Sequence, residues 1–332
     1  MTIAFLGDVM LGRGVASEIA HRDPASLWGD LRPVLLEADL VIANLECAIT
    51  SHSLPWTRTP KVFHFRAPPQ SVRVLRAANI GAVCLANNHV LDFEVAGLRD
   101  TLRHLDAAGI SHAGAGEDLP RAREPAIVEA GGSVVGFVAF TDNEPGWAAR
   151  PDHPGTSYLR FLPAPGALRT VEKAVERARD HGARFVVLSV HWGPNMVERP
   201  RRFFRSFAHA AIERGVDLIH GHSAHVFHGV EVHHGAPILY DTGDALDDYA
   251  VDPHLRNDRS FVFLVDLEDS RARRLTLRPI RLRYSEVGLA HGRDFEETCR
   301  RMEALAEEMG TESARSPHGL TITITRNPEP RR

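Results

Sequence analysis

The chain has 332 residues, of which 43% are hydrophobic and 25% are charged, a composition typical of a globular protein with a sizeable core. Its 39 Lys and Arg residues against 43 Asp and Glu residues give a net charge of −4, which gives no support to a nucleic-acid-binding surface. There is no signal-peptide pattern and no apolar run of about eighteen residues, so we expect a cytoplasmic protein without a membrane segment. The three cysteines, Cys47, Cys84 and Cys299, form no CxxC pair, and we expect Cys47 and Cys84, in or beside apolar runs, to be small buried residues in a reducing compartment.

Short apolar runs typical of buried strands alternate with amphipathic helical patterns along most of the chain. Strands are predicted at residues 2–7, 39–44, 80–86, 184–190 and 215–221. Helices are predicted at residues 69–79, 95–108, 166–181 and 201–213. This alternation of strands and helices predicts a layered α/β fold.

Other stretches favour antiparallel strands. Residues 126–140 predict a hairpin that turns at Gly131-Gly132. Farther along the chain, the runs "HVFHGVEVHHGAPILYDTG", "SFVFLVDLE" and "RRLTLRPIRLR" predict strands joined by tight turns. We therefore expect an antiparallel portion beside the strand–helix units.

No repeat or linker divides the chain, so a single domain is predicted over residues 1–310. A last helix is predicted at about 293–309, and residues 311–332 are predicted to hold a C-terminal strand and a flexible tail, frayed at 326–332. The Pro- and Gly-rich segment 142–165 is long for a simple connection, which is typical of a lid or a substrate wall.

Polar side chains follow each of the five buried strands predicted above. They are Asp8, then Asn44 and Glu46, then Asn88 and His89, then His191, and finally His222 and His225. In open α/β sheets, ligands bind at the carboxyl ends of the strands. Carboxylate, amide and imidazole donors from several strands suit one or two divalent ions, such as Mn, Fe, Zn or Ca. With two ions, Glu46 is the predicted bridging carboxylate, and the ions would lie about 3.5–4 Å apart.

Several of these residues also have a plainer explanation. An aspartate after a strand, as at Asp8, is more often a helix N-cap, and His191 can be a satisfied core histidine. Residues 220–225 can form a surface turn. Five such coincidences in one chain are improbable, so the metal site is favoured. Asp92, which precedes a predicted helix, is predicted to cap that helix.

Other basic residues are predicted to be structural or solvent-facing. Four histidines outside the strand ends are assigned to this group: His209, His228, His233 and His234. The arginine-rich strand at 271–283 can be an anion-binding edge, but a solvated edge that discourages strand pairing is the favoured interpretation.

The ordered series "GDVMLGR", "NLE", "LANNHVLD", "HWG", "GHSAH" and "ILYDTGD" resembles the CapA family of capsule and poly-γ-glutamate synthesis proteins. This family belongs to the calcineurin-like metallophosphoesterase superfamily. The resemblance extends from about residue 2 to about residue 267. It implies a four-layer α/β/β/α sandwich of the metallo-dependent phosphatase type, with a two-metal site at the strand ends.

The resemblance also implies a role for each strand-end residue. The residues that match metal ligands are Asp8, Glu46, Asn88, His191, His222 and His225. Glu46 stands where the superfamily has a bridging aspartate, and His89 matches the histidine that contacts the scissile group.

The chain departs from the superfamily pattern at several places. Met10 stands where the wider superfamily has a histidine, and His225 falls one place later than the usual second histidine of its motif. The first metal site can therefore be weaker, singly occupied or empty. Asp241 and Asp244 stand where many relatives have Ser and Asn, and two extra carboxylates there would alter the chemistry or bind a cationic group of the substrate.

The first hypothesis for function is a metal-dependent hydrolase acting on a phosphoester. In this hypothesis a metal-bound hydroxide attacks the substrate and His89 protonates the leaving oxygen, with Asp8 and His225 completing the catalytic group. Arg13 is predicted to contact the substrate because a guanidinium suits anion binding. The other predicted substrate contacts are Asn44, Trp192 and Asp244.

Two alternatives are carried forward. The superfamily includes a lasso-peptide epimerase with a CapA-like sequence, so the resemblance also allows metal-dependent acid/base chemistry at a peptide Cα. In that case a carboxylate and a histidine would exchange the proton from opposite faces. The third possibility is a non-catalytic accessory protein for polyglutamate or capsule assembly. The predicted partner is a small-molecule or peptide substrate, without nucleic acid or membrane, and no oligomeric state is predicted.

Overall fold

A computed structural model of the protein describes residues 1–325. The segment 326–332, predicted to be frayed, lies outside the described residues. Within the described part of the chain, no helix is both long enough and apolar enough to cross a membrane. The cytoplasmic location and the domain limits stay predictions. Cys47, Cys84 and Cys299 are buried and free, which confirms the expected burial of Cys47 and Cys84.

The strands of the first half of the chain are β1 (Thr2–Val9), β2 (Leu40–Leu45), β3 (Ala48–Ile49), β4 (Arg66–Ala67), β5 (Ile80–Cys84), β6 (Ser111–Ala113), β7 (Ala115–Gly116), β8 (Ala126–Ala130), β9 (Ser133–Thr141) and β10 (Gly155–Thr156). Those of the second half are β11 (Phe185–His191), β12 (Leu218–His222), β13 (Val230–His233), β14 (Ala236–Leu239), β15 (Asp244–Leu246), β16 (Arg259–Glu268), β17 (Arg271–Arg283), β18 (Glu286–Leu289), β19 (Ala314–Ser316) and β20 (Gly319–Thr323). The five predicted strands correspond to β1, β2, β5, β11 and β12.

The α-helices are α1 (Arg13–Ile19), α2 (Arg32–Leu36), α3 (Val72–Ala77), α4 (Glu94–Ala108), α5 (Leu119–Ala122), α6 (Pro165–Asp180), α7 (Arg202–Ile212) and α8 (Gly292–Glu308). Short 3-10 helices lie at Pro24–Leu31, Pro69–Ser71 and Pro145–Trp147. The longer predicted helices correspond to α4, α6, α7 and α8. The helix predicted at 69–79 begins instead as a 3-10 turn at Pro69–Ser71 and continues as α3.

The strands form two large sheets. Sheet A has the order β19-β20-β17-β16-β1-β2-β5-β6, with β15 also paired to β1 and β18 to β17, and sheet B has the order β13-β14-β12-β11-β9-β8. Strands β1, β2, β5 and β6 run parallel in sheet A, as do β9, β11, β12 and β14 in sheet B. Strands β16 and β17 pair antiparallel, and β8 and β9 form the predicted hairpin around Gly131-Gly132.

Side chains along β1 alternate between two apolar cores. Ile3 and Phe5 lie in a core shared with sheet B, whereas Ala4 and Leu6 lie in a core shared with helices α1 to α4. The outer face of sheet B packs against α6 and α7 through a third core. The layers therefore run helices, sheet A, sheet B, helices, which confirms the expected four-layer α/β/β/α sandwich.

Gly7 lies where β1 passes closest to the loop between β14 and β15. The backbone N–H of Asp8 donates to the carbonyl oxygen of Gly243 at 2.9 Å, and a Cβ at residue 7 would overlap that oxygen. Replacing Gly7 by Ala is therefore expected to lower the free energy of unfolding by about 1–3 kcal/mol, the usual cost of overpacking. Urea denaturation measures the change. Gly166→Ala is the matched control, because a Cβ there meets open space, and equal losses in both variants would contradict the prediction.

Candidate metal centre

The carboxyl ends of strands from both sheets meet at one edge of the sandwich. Asp8 lies on β1 of sheet A, and His191 and His222 end β11 and β12 of sheet B. Ligand atoms from these three buried side chains all lie within 4.8 Å of one another. Because parallel strands end at the same edge of a sheet, residues far apart in sequence come within coordinating reach of a common point.

A second group of ligand atoms shares Asp8 with the first. His225 Nδ1 lies 3.2 Å from Asp8 Oδ2 and 2.8 Å from Asp244 Oδ1, and the three residues form a cluster of the same size. Strand β15 pairs parallel with β1 and places Asp244 opposite Asp8 in the register. The structure therefore presents two adjacent clusters of potential ligands joined through one carboxylate.

Glu46 adds a carboxylate beside these clusters, within reach of the charges of Asp8, His225 and Asp244. Glu46 Oε1 lies 3.8 Å from His89 Nε2, and Glu46 Oε2 lies 3.4 Å from the hydroxyl oxygen of Tyr249. Among the described residues, Glu46 Oε1, Asn88 Oδ1 and Asp244 Oδ2 are buried without a hydrogen-bond partner. Such oxygens each cost about 1–3 kcal/mol when left unsatisfied. A divalent cation would satisfy them, so the residues present fit a metal site.

His191 and His222 present neutral rings to the centre. Their Nδ1 atoms lie 2.8 Å apart, and Ser189 Oγ lies 3.0 Å from Nε2 of His222, which orients that ring. Burial lowers the pKa of His191 to about 3. Burial, reinforced by the charge of His191, lowers the pKa of His222 well below its usual range. A neutral imidazole offers a lone pair, so both rings suit a transition-metal ion.

The pKa values of Glu46 and His225 are both raised in this cluster. Burial raises the pKa of Glu46 well above its ordinary value, and the charge of Asp8 raises it further. Burial alone would lower the pKa of His225, but the neighbouring carboxylates, Asp244 first, outweigh it and hold that pKa well above its usual range. A raised pKa favours the protonated form of each group, whereas a bound cation would favour the deprotonated form.

Metal binding is accordingly expected to release protons. An ion held by Glu46 and His225 would favour the deprotonated form of each group, and the pKa of both is raised, so we expect proton release on binding and tighter binding as the pH rises. Calorimetric titration with Mn²⁺ at pH 7, in buffers of different ionisation enthalpy, measures the number of protons released. The variant His225→Gln should release fewer protons than the unaltered protein. An apparent enthalpy that is the same in all buffers would contradict the expectation.

Asn44, predicted to contact the substrate, is fully buried instead. Its Nδ2 donates to Asp8 Oδ1 at 2.7 Å, and its Oδ1 accepts from Asn87 Nδ2 at 3.0 Å. In the structure this residue orients the shared carboxylate, and its direct contact with substrate stays a prediction. Asn87 in turn accepts the backbone N–H groups of His89 and Val90 and so shapes the turn after β5.

Asp92 does not cap α4, contrary to the prediction. The helix begins at Glu94 without a side-chain cap, and Asp92 is buried two residues earlier. Its Oδ2 lies 2.6 Å from His89 Nδ1 and accepts the backbone N–H of Phe65 at 2.6 Å. Lys61 Nζ lies 3.3 Å from Asp92 Oδ1 and also donates to the carbonyl oxygen of Asn88. Asp92 and Lys61 are thus site residues that the sequence interpretation missed.

His89 and Asp92 form a buried imidazole–carboxylate pair. Burial, reinforced by the charge of Lys61, lowers the pKa of His89 well below its usual value. Burial raises the pKa of Asp92 to about 7, even though Lys61 opposes the shift. The pair therefore gains or loses one proton near neutral pH. With His89 Nδ1 bound to Asp92, Nε2 is the atom that faces Glu46 and the metal centre.

Two other predicted substrate contacts lie in different surroundings. Trp192 is buried in the core between sheet B and α7, and its indole N–H donates to the carbonyl oxygen of Tyr240 at 2.8 Å. The ring packs inside the protein, and its contact with substrate stays a prediction. Arg13 is half exposed, pairs with Asp248 at 3.0 Å and lies over the ring of Tyr249, which itself faces Glu46. Arg13 therefore stands at the rim of the centre.

Of the four histidines predicted to be structural or solvent-facing, two make buried or partly buried contacts outside the two ligand clusters. His209 Nε2 lies 2.8 Å from Glu231 Oε1, its ring stacks on that of His233, and these three residues form a further cluster that could hold an ion. His228 is buried with Nε2 bound to the carbonyl oxygen of Val197. Their predicted structural roles stay predictions.

A family model described as "Bacterial capsule synthesis protein PGA_cap" matches residues 2–249. The chain belongs to this family. The predicted resemblance to the CapA family, within the metallophosphoesterase-like superfamily, is thereby confirmed.

Curated relatives of this PGA_cap protein carry related names. A Mycobacterium tuberculosis protein named "Probable polyglutamine synthesis accessory protein" is 31% identical, over 98% of this chain and 96% of that protein. The "PGA biosynthesis protein CapA" of Bacillus subtilis is 30% identical over 75% of this chain and 63% of its own length. The "Capsule biosynthesis protein CapA" of Bacillus anthracis is 27% identical over 75% of this chain and 60% of its own length. The solved structure of TT1561 from Thermus thermophilus covers 85% of this chain and 99% of that chain at 13% identity, with a TM-score of 0.44, too low to bear on function.

Proposed function

We propose that this protein is a metal-dependent hydrolase that acts on a phosphoester in the synthesis of a glutamate polymer. The observation that carries the proposal is the pair of ligand clusters joined through Asp8, with buried oxygens that lack hydrogen-bond partners. The names of the relatives supply the biosynthetic setting. The substrate itself is proposed from the chemistry of the centre.

One ion would be held by Asp8, His191 and His222, and a second by Asp8, His225 and Asp244, with Glu46 and Asn88 adding oxygens. Imidazole and carboxylate donors in this mixture suit Mn, Fe or Zn. Such ions, when bound, polarise a phosphoryl oxygen and lower the pKa of a water. Strand β15 lies directly beside β1, so Asp244 supplies a carboxylate to the second cluster. The chain has Met10 where the wider superfamily has a histidine, and the side chain of Met10 has no imidazole to offer as a ligand.

The chain's own acid is His89 in this proposal. Its Nε2 faces the centre, and the buried Asp92 carboxyl holds Nδ1 and fixes the ring. In the form of the pair that carries the extra proton, the Asp92 hydroxyl donates to Nδ1 and Nε2–H can donate to a leaving oxygen. Arg13, at the rim, is positioned to bind an anionic group of the substrate.

A second candidate is proton exchange at the Cα of a peptide, as in an epimerase. The observation that favours it is a second imidazole–carboxylate pair, His225 with Asp244 at 2.8 Å, which lies in the same centre as His89 and Asp92. Two such pairs supply one base and one acid. A third candidate, a non-catalytic accessory role, agrees with the printed name of the mycobacterial relative.

Two assays on the metal-loaded protein separate these candidates. Release of p-nitrophenol from an aryl phosphate with Mn²⁺ supports the hydrolase, provided that His89→Gln abolishes it. Deuterium uptake at a peptide Cα in heavy water, without hydrolysis, overturns the hydrolase in favour of the epimerase. If elemental analysis shows bound metal and neither reaction occurs, the accessory role replaces both enzymatic proposals. Absence of bound metal overturns the centre itself.

A further inference from the structure

A cleft on the outer side of sheet B is lined by four basic side chains. It has a volume of about 260 Å³, and its polar lining consists of Arg123, Arg169, Thr170, Lys173 and Arg177. No carboxylate of the described residues lines it. The chain as a whole carries a net charge of −4, so a cleft with only positive charges stands out against the overall balance.

Three of the cations lie in one row along α6. Arg169, Lys173 and Arg177 are spaced four residues apart, which places them on one helix face at intervals of about 6 Å. Like charges at this spacing repel one another. Within residues 1–325, Arg169 and Lys173 have no carboxylate partner within 4.0 Å, and Arg177 has only Glu124 at 3.8 Å. Among the described residues, Glu124 is therefore the one carboxylate within 4.0 Å of the row.

Arg123, at the end of α5, adds a cation that is partly withdrawn from water. Its Nε is buried and has no hydrogen-bond partner among the described residues, while its carbonyl oxygen accepts from Arg177. Burial, reinforced by the charge of Arg177, lowers the pKa of this guanidinium. An arginine does not lose its proton in proteins, so an uncompensated charge of this kind is stabilised by an anion.

The amino end of α6 borders the same cleft through Gly166. The helix starts at Pro165, its N-cap residue Ala164 provides no side-chain acceptor, and the first turn contains no acidic residue. The free backbone N–H groups of a first helical turn carry partial positive charge and bind anions. The helix end thus adds to the positive potential of the four side chains.

We propose that this cleft binds a linear polyanion whose carboxylates repeat along an extended chain. A row of three cations across about 12 Å, with Arg123 beside it, suits several charges in succession better than one isolated anion. A chain of γ-linked glutamate has this chemistry, because each residue carries a free carboxylate. A nucleic acid is disfavoured, because the one aromatic residue of the lining, Phe140, is buried and cannot stack on a base.

The cleft and the candidate metal centre share no residues. Phe140, which lines the cleft, packs in the outer core on the side of sheet B that faces α6 and α7. The binding function proposed for the cleft does not depend on what reaction the centre performs.

The test is fluorescence anisotropy with a labelled oligomer of γ-linked glutamate and the whole protein at low salt. The double variant Arg169→Gln/Lys173→Gln is expected to bind about tenfold more weakly, since both side chains are exposed and their loss removes two charge contacts. The matched control Arg73→Gln/Arg76→Gln removes two exposed cations from α3 and should bind like the unaltered protein. The variant His191→Ala should also bind normally, which separates the cleft from the proposed metal centre.

Several outcomes would overturn the proposal. One is absence of binding, and another is equal weakening in the α3 control, which would mean nonspecific attraction. Competition by inorganic phosphate as effective as competition by the unlabelled oligomer would show that the cleft recognises a single anion. Polyphosphate that binds while oligoglutamate does not would identify a phosphate chain as the ligand and reject the carboxylate assignment. If an Arg123→Gln variant folds and still binds with full affinity, the guanidinium of Arg123 is not part of the binding site.

Discussion

Replacing Asp8 by Asn is expected to abolish stoichiometric metal binding and to lower turnover by more than about 100-fold. Asp8 is the carboxylate shared by both ligand clusters, so its loss weakens both ion positions at once. Substitution of residues that only orient ligands typically costs about 10–100-fold in metal affinity or activity, and loss of a shared ligand should cost more. Elemental analysis of the purified protein, together with the p-nitrophenol assay, measures the two effects.

The same variant should keep its fold. An asparagine at residue 8 retains a side-chain oxygen that can accept from Asn44 Nδ2, the bond that now orients Asp8. We therefore expect the thermal midpoint of the metal-free protein to change little, while the rise in midpoint on adding Mn²⁺ disappears. Asp152→Asn, at an exposed carboxylate far from the strand ends in sequence, is the control and should keep the metal-dependent rise. Retention of bound metal by Asp8→Asn would contradict the centre.

The parallel strands and the residues at their ends could be predicted from the sequence because both signals are local. An apolar run followed at once by Asp8 or His191 marks a strand and its carboxyl end, whatever the rest of the chain does. The alternation of strand and helix then sends those ends to one edge of each sheet. Most of the ligand set follows from these two rules and from the resemblance to the CapA family.

Pairings set by tertiary contacts could not be predicted in this way. Asp92 lies just before a helical pattern, a position that locally favours a helix N-cap. The turn at residues 87–92 instead places its carboxylate in contact with the ring of His89. The spacing of three residues between His89 and Asp92 was the one local signal for this pair. Lys61 comes from a long loop without periodicity, so no pattern linked it to the site. Trp192 follows a ligand directly but points into the core, since alternate residues near a strand end face opposite sides.

Replacing His89 by Gln is expected to lower the turnover of the proposed hydrolase by about 10²–10⁴-fold, the usual contribution of a positioned general acid. Bound metal should stay unchanged, because His89 belongs to neither ligand cluster. This separates the variant from Asp8→Asn, which loses both. A loss of metal in His89→Gln would show that the imidazole is a ligand, and full activity would remove it from the reaction.

The pH dependence of the reaction distinguishes the acid from the base role of the same imidazole. Because the pKa of Asp92 is raised to about 7, the pair carries its extra proton below that pH and has lost it above. If Nε2–H donates to a leaving group, the rate falls as the pH rises through about 7, and if Nε2 accepts a Cα proton, the rate rises through the same range. In the variant Asp92→Asn, the change of rate around pH 7 should disappear, because an amide does not titrate. The variant should keep its bound metal. If the rate of that variant changes with pH as in the unaltered protein, the titration belongs to another group. The buried pair would then only hold the His89 ring in place.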